Sequence, residues 1–235
     1  MNSLLGVEAV KVHVTKLAAA HRQLCAAIRM FFAGEDELAV HTVASASYRI
    51  LADLKEDRGR DEVGDHYLTA IFYCVRDYHR GTLPAYIANN PATMNWIRNM
   101  AEKLPIKEST EYEEVKAFVS PDAARAYWQK RNKVSNFLKH ADRDPKATIA
   151  LDAVDNLDLL VQCLSSYSDL VNDDLGAEGL VLWLYFCVTV AGTDGLSKEL
   201  QDMATHLEEL GPSERLAFCA ALVRKMNASS KEPSA

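Results

Sequence analysis

The segment EDELAVHTVASASYRILADLKED, from Glu35 to Asp57, runs without a proline or glycine and repeats its apolar residues at helical spacing. This pattern constrains the fold more than any other feature. Val40, Val43, Ser47, Ile50, Leu51 and Leu54 fall on one face of a helix expected over about 36 to 57. A helix satisfies its own backbone hydrogen bonds but leaves such a face to be buried, so further elements must pack around it.

The rest of the chain supplies more helices. Seven prolines and ten glycines are few for 235 residues, and they fall mainly between periodic segments. A first helix is expected from about Leu4 to Phe32, with Val7, Val10, Val14, Leu17, Leu24, Ile28 and Phe31 as its stripe, ended by Gly34. Others are expected over about 65–80, in LPAYIANNPATMNWIRNMAEKLP, and over about 121–140, 152–172, 177–191, 196–209 and 213–227. The segment IKESTEYEEVKAFV reads as a loop or a strand-like stretch. The fold expected is all-α: one irregular bundle of about eight to nine helices over residues 1–227, with no substantial sheet and a disordered tail at 228–235.

Composition narrows the function classes. A 49% hydrophobic content fills a core, while a net charge of −7 and a pI near 5.5 disfavour broad nucleic-acid or anionic-membrane binding. The longest apolar run, LVLWLYFCVTVAG, falls short of the ~20 residues of a spanning helix. No signal peptide is read at the N-terminus. Cys25, Cys74, Cys163, Cys187 and Cys219 lie far apart among apolar neighbours, without CxxC spacing, so reduced thiols and a cytoplasmic setting are expected. GxGxxG, GxxxxGK[ST], GxSxG and HExxH are all missing, and no Glu-x-x-His pair occurs. No cofactor is therefore expected and no metal ligand is assigned. A metal-dependent hydrolase built across helices, for example from His41, His66 and His140, is the weakest functional alternative.

Two polar surfaces stand out. On the 121–140 helix, a wheel at about 100° per residue puts Ala124, Tyr127, Val134, Phe137, Leu138 and Ala141 on one side, with Arg131 inside that stripe. Arg125, Gln129, Asn132, Asn136 and His140 form an opposite ladder. Amides at consecutive turns are uncommon on a purely solvated face, where Glu and Lys dominate, because Asn disfavours helix interiors. A straight helix places Arg131 and His140 on opposite faces; they serve one site only if the helix breaks between them. The ordinary reading gives His140 a place at the helix C-terminus and gives Arg131 an ion pair with a neighbouring helix. On the 36–57 helix, His41, Ser45, Tyr48 and Ala52 form a second stripe at i, i+4, i+7 and i+11. That stripe reads either as a close helix contact or as one wall of a small pocket.

RNKVSNFLKH resembles the motif of the HEPN ribonucleases, helical proteins marked by an Arg, often followed by a polar residue, and then a His. Here the pair is Arg131 and Asn132 and the histidine is His140, at a spacing longer than the motif's. HTVASASYRILADL is similar to segments that line a HEPN bundle. The resemblance implies metal-independent RNA cleavage in which His140 is the acid/base, Arg131 stabilises phosphate charge and Asn136 assists. HTVASASYRIL and NFLKHADRDP together also resemble uncharacterised bacterial helical proteins, which implies no activity. The favoured expectation is a protein that acts by binding a partner protein or small ligand, as a homodimer, through His41, Ser45, Tyr48, Asn132, Asn136 and His140. Nucleic acid enters only under the ribonuclease alternative, and no membrane is expected.

Overall fold

The structure, a computed structural model, describes residues 13–60, 68–116, 121–140, 142–151, 154–171, 175–193 and 196–229. In chain order the helices are α1 (Lys16–Phe32), α2 (Glu37–Asp57), α3 (Thr69–Arg80), α4 (Ala85–Ala88), α5 (Pro91–Lys103) and α6 (Tyr112–Lys116). They continue with α7 (Pro121–Arg131), α8 (Lys133–Lys139), α9 (Asn156–Val171), α10 (Ala177–Phe186), α11 (Lys198–Glu209) and α12 (Pro212–Ser229). Cys187–Ala191 prolong α10 as a π-helical turn. Among the described residues every regular element is helical, as expected of an all-α protein. The short α4 and then α5 fall in LPAYIANNPATMNWIRNMAEKLP, where a short helix and a second one are expected, while α6 and the division of one expected helix into α7 and α8 add to the eight or nine foreseen.

Local chemistry sets the boundaries. Thr15 caps α1 by accepting from Ala18 N at 3.1 Å, and Asp36 caps α2 by accepting from Leu38 N and Ala39 N. Asn90 accepts from Thr93 N ahead of Pro91, whose ring suits the first helical position. Gly81, with φ of 68°, closes α3 in the left-handed region.

The main core joins α1, α2, α9, α10, α11 and α12, with Leu24, Ile28, Leu51, Leu160, Leu182 and Leu207 fully buried. Each such side chain contributes about 1.5–3 kcal/mol by leaving water, so the α1–α2–α9 contact anchors the bundle. A smaller core gathers Ile71, Phe72, Val75, Ile106 and Val115 from α3, α6 and the stretch after α5. Among the described residues no helix is long and apolar enough to cross a membrane.

Several expectations are corrected. The first helix starts at Lys16 rather than near Leu4 because Thr15 caps it, and Val14 is 45% exposed rather than in the stripe; Val7 and Val10 lie outside the described residues. The loop or strand-like stretch holds helix α6, whose first turn carries Glu113 and Glu114 and whose entry is held by Glu111 N donating to Glu114 Oε1. Helix α12 runs on to Ser229, past the point where the tail was expected; residues 230–235 lie outside the described set.

Candidate functional site

Helices α2 and α9 are tied at three levels. The Asn156 side chain donates to the Glu37 carbonyl at 2.9 Å, which leaves its Oδ1 to accept from His41 Nδ1 at 3.1 Å. Cys163 Sγ lies 3.6 Å from the Ala44 carbonyl. Lys55 Nζ, fully buried, donates to Asp169 at 2.9 Å. On the far side of α2, Ser47 Oγ donates to the Ala20 carbonyl of α1. These ties hold α2 as a fixed wall.

Against that wall lies the interruption between α7 and α8. Asn132 takes φ −87° and ψ 1°, which departs in ψ by about 40° from the ordinary helical value. The straight-helix expectation is thereby corrected. Arg131, the last residue of α7, and Asn132, Asn136 and His140 all line one pocket of about 230 Å³. Ser45, Tyr48 and Arg49 of α2 and Leu159 of α9 complete the wall with Ser135 and Lys139. Six of the seven sequence candidates on these helices thus meet at one place: Ser45, Tyr48, Arg131, Asn132, Asn136 and His140. His41 sits one helical turn from Ser45, is 5% exposed, and belongs to the wall behind the pocket rather than its lining.

Arg131 is the most elaborately held of these groups. Its Nη1 donates to Asp158 of α9 at 2.8 Å, and its guanidinium lies 4.9 Å from the centre of the Tyr48 ring. Tyr48 in turn packs against Trp128. The ion pair expected from the sequence is therefore present. Yet Arg131 Nε and Nη2 are buried and have no hydrogen-bond partner among the described residues. Burying such donors unpaired costs about 1–3 kcal/mol each, so few buried side chains in native proteins carry them. His41 Nε2 is likewise buried without a partner. Because Nδ1 donates to Asn156, the neutral ring presents Nε2 as an acceptor. Burial holds the His41 pKa below its ordinary 6.5, with the positive charges of Arg131 and Lys139 adding to the shift and the Asn156 hydrogen bond opposing it.

The pocket's electrostatics are one-sided. Three permanent cations line it, Arg49, Arg131 and Lys139, and no carboxylate does. Two of the three are ion-paired with carboxylates outside the lining, Arg131 with Asp158 and Arg49 with Asp53 at 2.8 Å, and Lys139 adds a third charge. His140, 33% exposed at the C-terminal end of α8, has Nδ1 3.9 Å from Asp142. Such a set can hold an anion by charge and orient it by hydroxyl and amide groups. The amide ladder divides: Arg125 pairs with Asp122 at the surface and Gln129 is exposed, so only its second half, Asn132, Asn136 and His140, belongs to the site.

Arg49, Ser135 and Lys139 did not figure among the sequence candidates. The signal was there: each stands four residues from another lining residue, as in Ser45–Arg49 and Ser135–Lys139. Among the described residues no group of three His, Cys, Asp or Glu side chains gathers to hold a metal ion. Asp61, Glu62, Asp65 and His66 lie outside the described residues.

A larger cleft of about 560 Å³ opens between α1, the start of α10 and the end of α12. There His21 Nε2 lies 3.8 Å from Cys25 Sγ, and buried Glu178 accepts from Arg29 and Asn227. The trio has the residue types of a thiol nucleophile site, but its electrostatics are wrong for one. Burial, and then the charge of Glu178, push the Cys25 thiol up to about 11, so it stays protonated near neutrality. All five cysteines are free.

Comparison of the chain with protein-family models, with curated proteins and with solved structures finds no match, so the functional reading rests on the site alone.

Proposed function

We propose that this protein binds a small anionic ligand, of the phosphate-bearing kind, in the pocket between α2, α8 and α9. The single observation that carries the reading is the lining itself: Arg49, Arg131 and Lys139 converge without a carboxylate in a chain whose net charge is −7. Over the whole chain acidic side chains outnumber basic ones, 33 to 26. Asp158 and the Tyr48 ring fix the Arg131 guanidinium beside that pocket, and a guanidinium pairs with phosphate oxygens through charge-assisted hydrogen bonds. Isothermal titration with inorganic phosphate tests the reading. Saturable binding that weakens about tenfold or more in Lys139→Ala supports it; no saturable binding removes it.

A second reading has an observation of its own. The interruption at Asn132 brings Arg131 and His140 to one pocket, as metal-independent phosphodiester cleavage requires. In that reaction the ribose 2′-hydroxyl attacks phosphorus and gives its proton to the His140 imidazole. The 5′-oxygen then leaves with a proton returned by the same ring, and a 2′,3′-cyclic phosphate forms while the Arg131 charge offsets the phosphorane's. Incubation with single-stranded RNA decides it: cleavage lost in His140→Ala supports the reading, and cleavage absent or unchanged in that variant sinks it.

A further inference from the structure

Helix α8 has a pocket on each side of one edge. Asn136 and His140, one turn apart, line the cationic pocket and also a second pocket of about 260 Å³. The second is built differently. Phe137, Ala147 and Ile149 give it apolar walls, and Thr148 and Asp144 add polar groups to its lining. Lys133 and Arg143 keep it from being acidic overall. Each pocket alone is smaller than the about 300–1,000 Å³ typical of small-molecule sites; only together do they reach that range. The ridge between them carries an amide and an imidazole, groups that hydrogen-bond what crosses it.

Resting on the anion-binding reading of the first pocket, we propose that the ligand is a phosphate ester whose esterified group carries a planar ring. The phosphate sits among Arg49, Arg131 and Lys139. The linking oxygens cross Asn136 and His140. The ring lies in the second pocket against Phe137 and Ile149. Stacking on an aromatic side chain accepts any flat ring, and Asp144 and Thr148 favour one with polar edges. A bare anion or a purely aliphatic phosphate would leave the second pocket empty.

Three probes test this on the full chain: inorganic phosphate, phenyl phosphate and adenosine 5′-monophosphate, each by isothermal titration. The expected order is inorganic phosphate weakest, with phenyl phosphate and the nucleotide about tenfold or more tighter. Phe137→Ala is expected to remove that gain and leave inorganic phosphate binding within about twofold. Ile149→Ala, on the loop beyond α8, gives the same split without touching the helix and so guards against a folding defect in the first variant. Equal affinities for all three probes would overturn the two-pocket inference while leaving the anion site intact. A gain that survives both variants overturns it as well. Failure of all three to bind would instead remove the anion-binding reading on which it stands.

Discussion

Arg131 shows how one side chain serves two demands. Asp158 neutralises it and the Tyr48 ring packs against it, while two of its nitrogens have no partner among the described residues. A guanidinium held by a ring offers a fixed planar fork, which an ammonium cannot reproduce. Arg131→Lys keeps the charge, and inorganic phosphate affinity is nevertheless expected to fall about tenfold by titration calorimetry; unchanged affinity would mean the fork does not meet the ligand. His41 makes a separate prediction. Its folded pKa lies below the ordinary 6.5, so between the two values the unfolded chain binds more protons than the folded one. Stability is therefore full above that window and declines as pH falls through it. The thermal midpoint is expected to fall as pH drops below the ordinary value of 6.5, and less steeply in His41→Gln. An equal slope in that variant would place the titrating group elsewhere.

At the scale of elements, the site depends on how α2 and α9 are fixed and on where α7 gives way to α8. Asn156 is 6% exposed and its side chain bridges His41 and the Glu37 carbonyl. Asn156→Ala leaves both without that partner, so a loss of about 1–3 kcal/mol is expected by chemical denaturation. Leu160→Ala, at a fully buried position on the same helix, is expected to cost about 2–5 kcal/mol; a negligible change in both would deny that this contact anchors the bundle. The helices themselves were legible, because the period of buried residues on α1, α2 and α9 follows from the backbone's own geometry. The stripe of Ser45 and Tyr48 and the ladder of Asn132, Asn136 and His140 were legible for the same reason. Their meeting was not. A helical wheel describes one straight helix, and the turn of ψ at Asn132 arises where α8 packs against α2, a contact written in residues far apart in sequence. The start of α1 was missed because apolar Val7, Val10 and Val14 continue the period beyond the Thr15 cap, and a period carries no information on where a cap interrupts it.

Across the whole molecule, the charge of −7 opposes anions at long range, and the cationic pocket prevails only within about a Debye length of 8–10 Å. A small phosphate compound enters that range whole; a long duplex does not. Short duplex DNA is accordingly expected to show no retention in a gel-shift experiment at physiological salt, and strong retention would point to a basic surface outside the pocket. The homodimer proposed from the sequence predicts twice the 26.1 kDa chain mass by light scattering, and a single-chain mass at every concentration would remove it. The central claim is narrower: the pocket of Arg49, Arg131 and Lys139 takes an anion. It is tested most directly by titrating inorganic phosphate into the intact chain, into Lys139→Ala, and into Arg22→Ala in the other cleft. Saturable binding, weakened about tenfold or more in Lys139→Ala and unchanged in Arg22→Ala, is the predicted result; no saturable binding, or equal affinity in all three proteins, would contradict it.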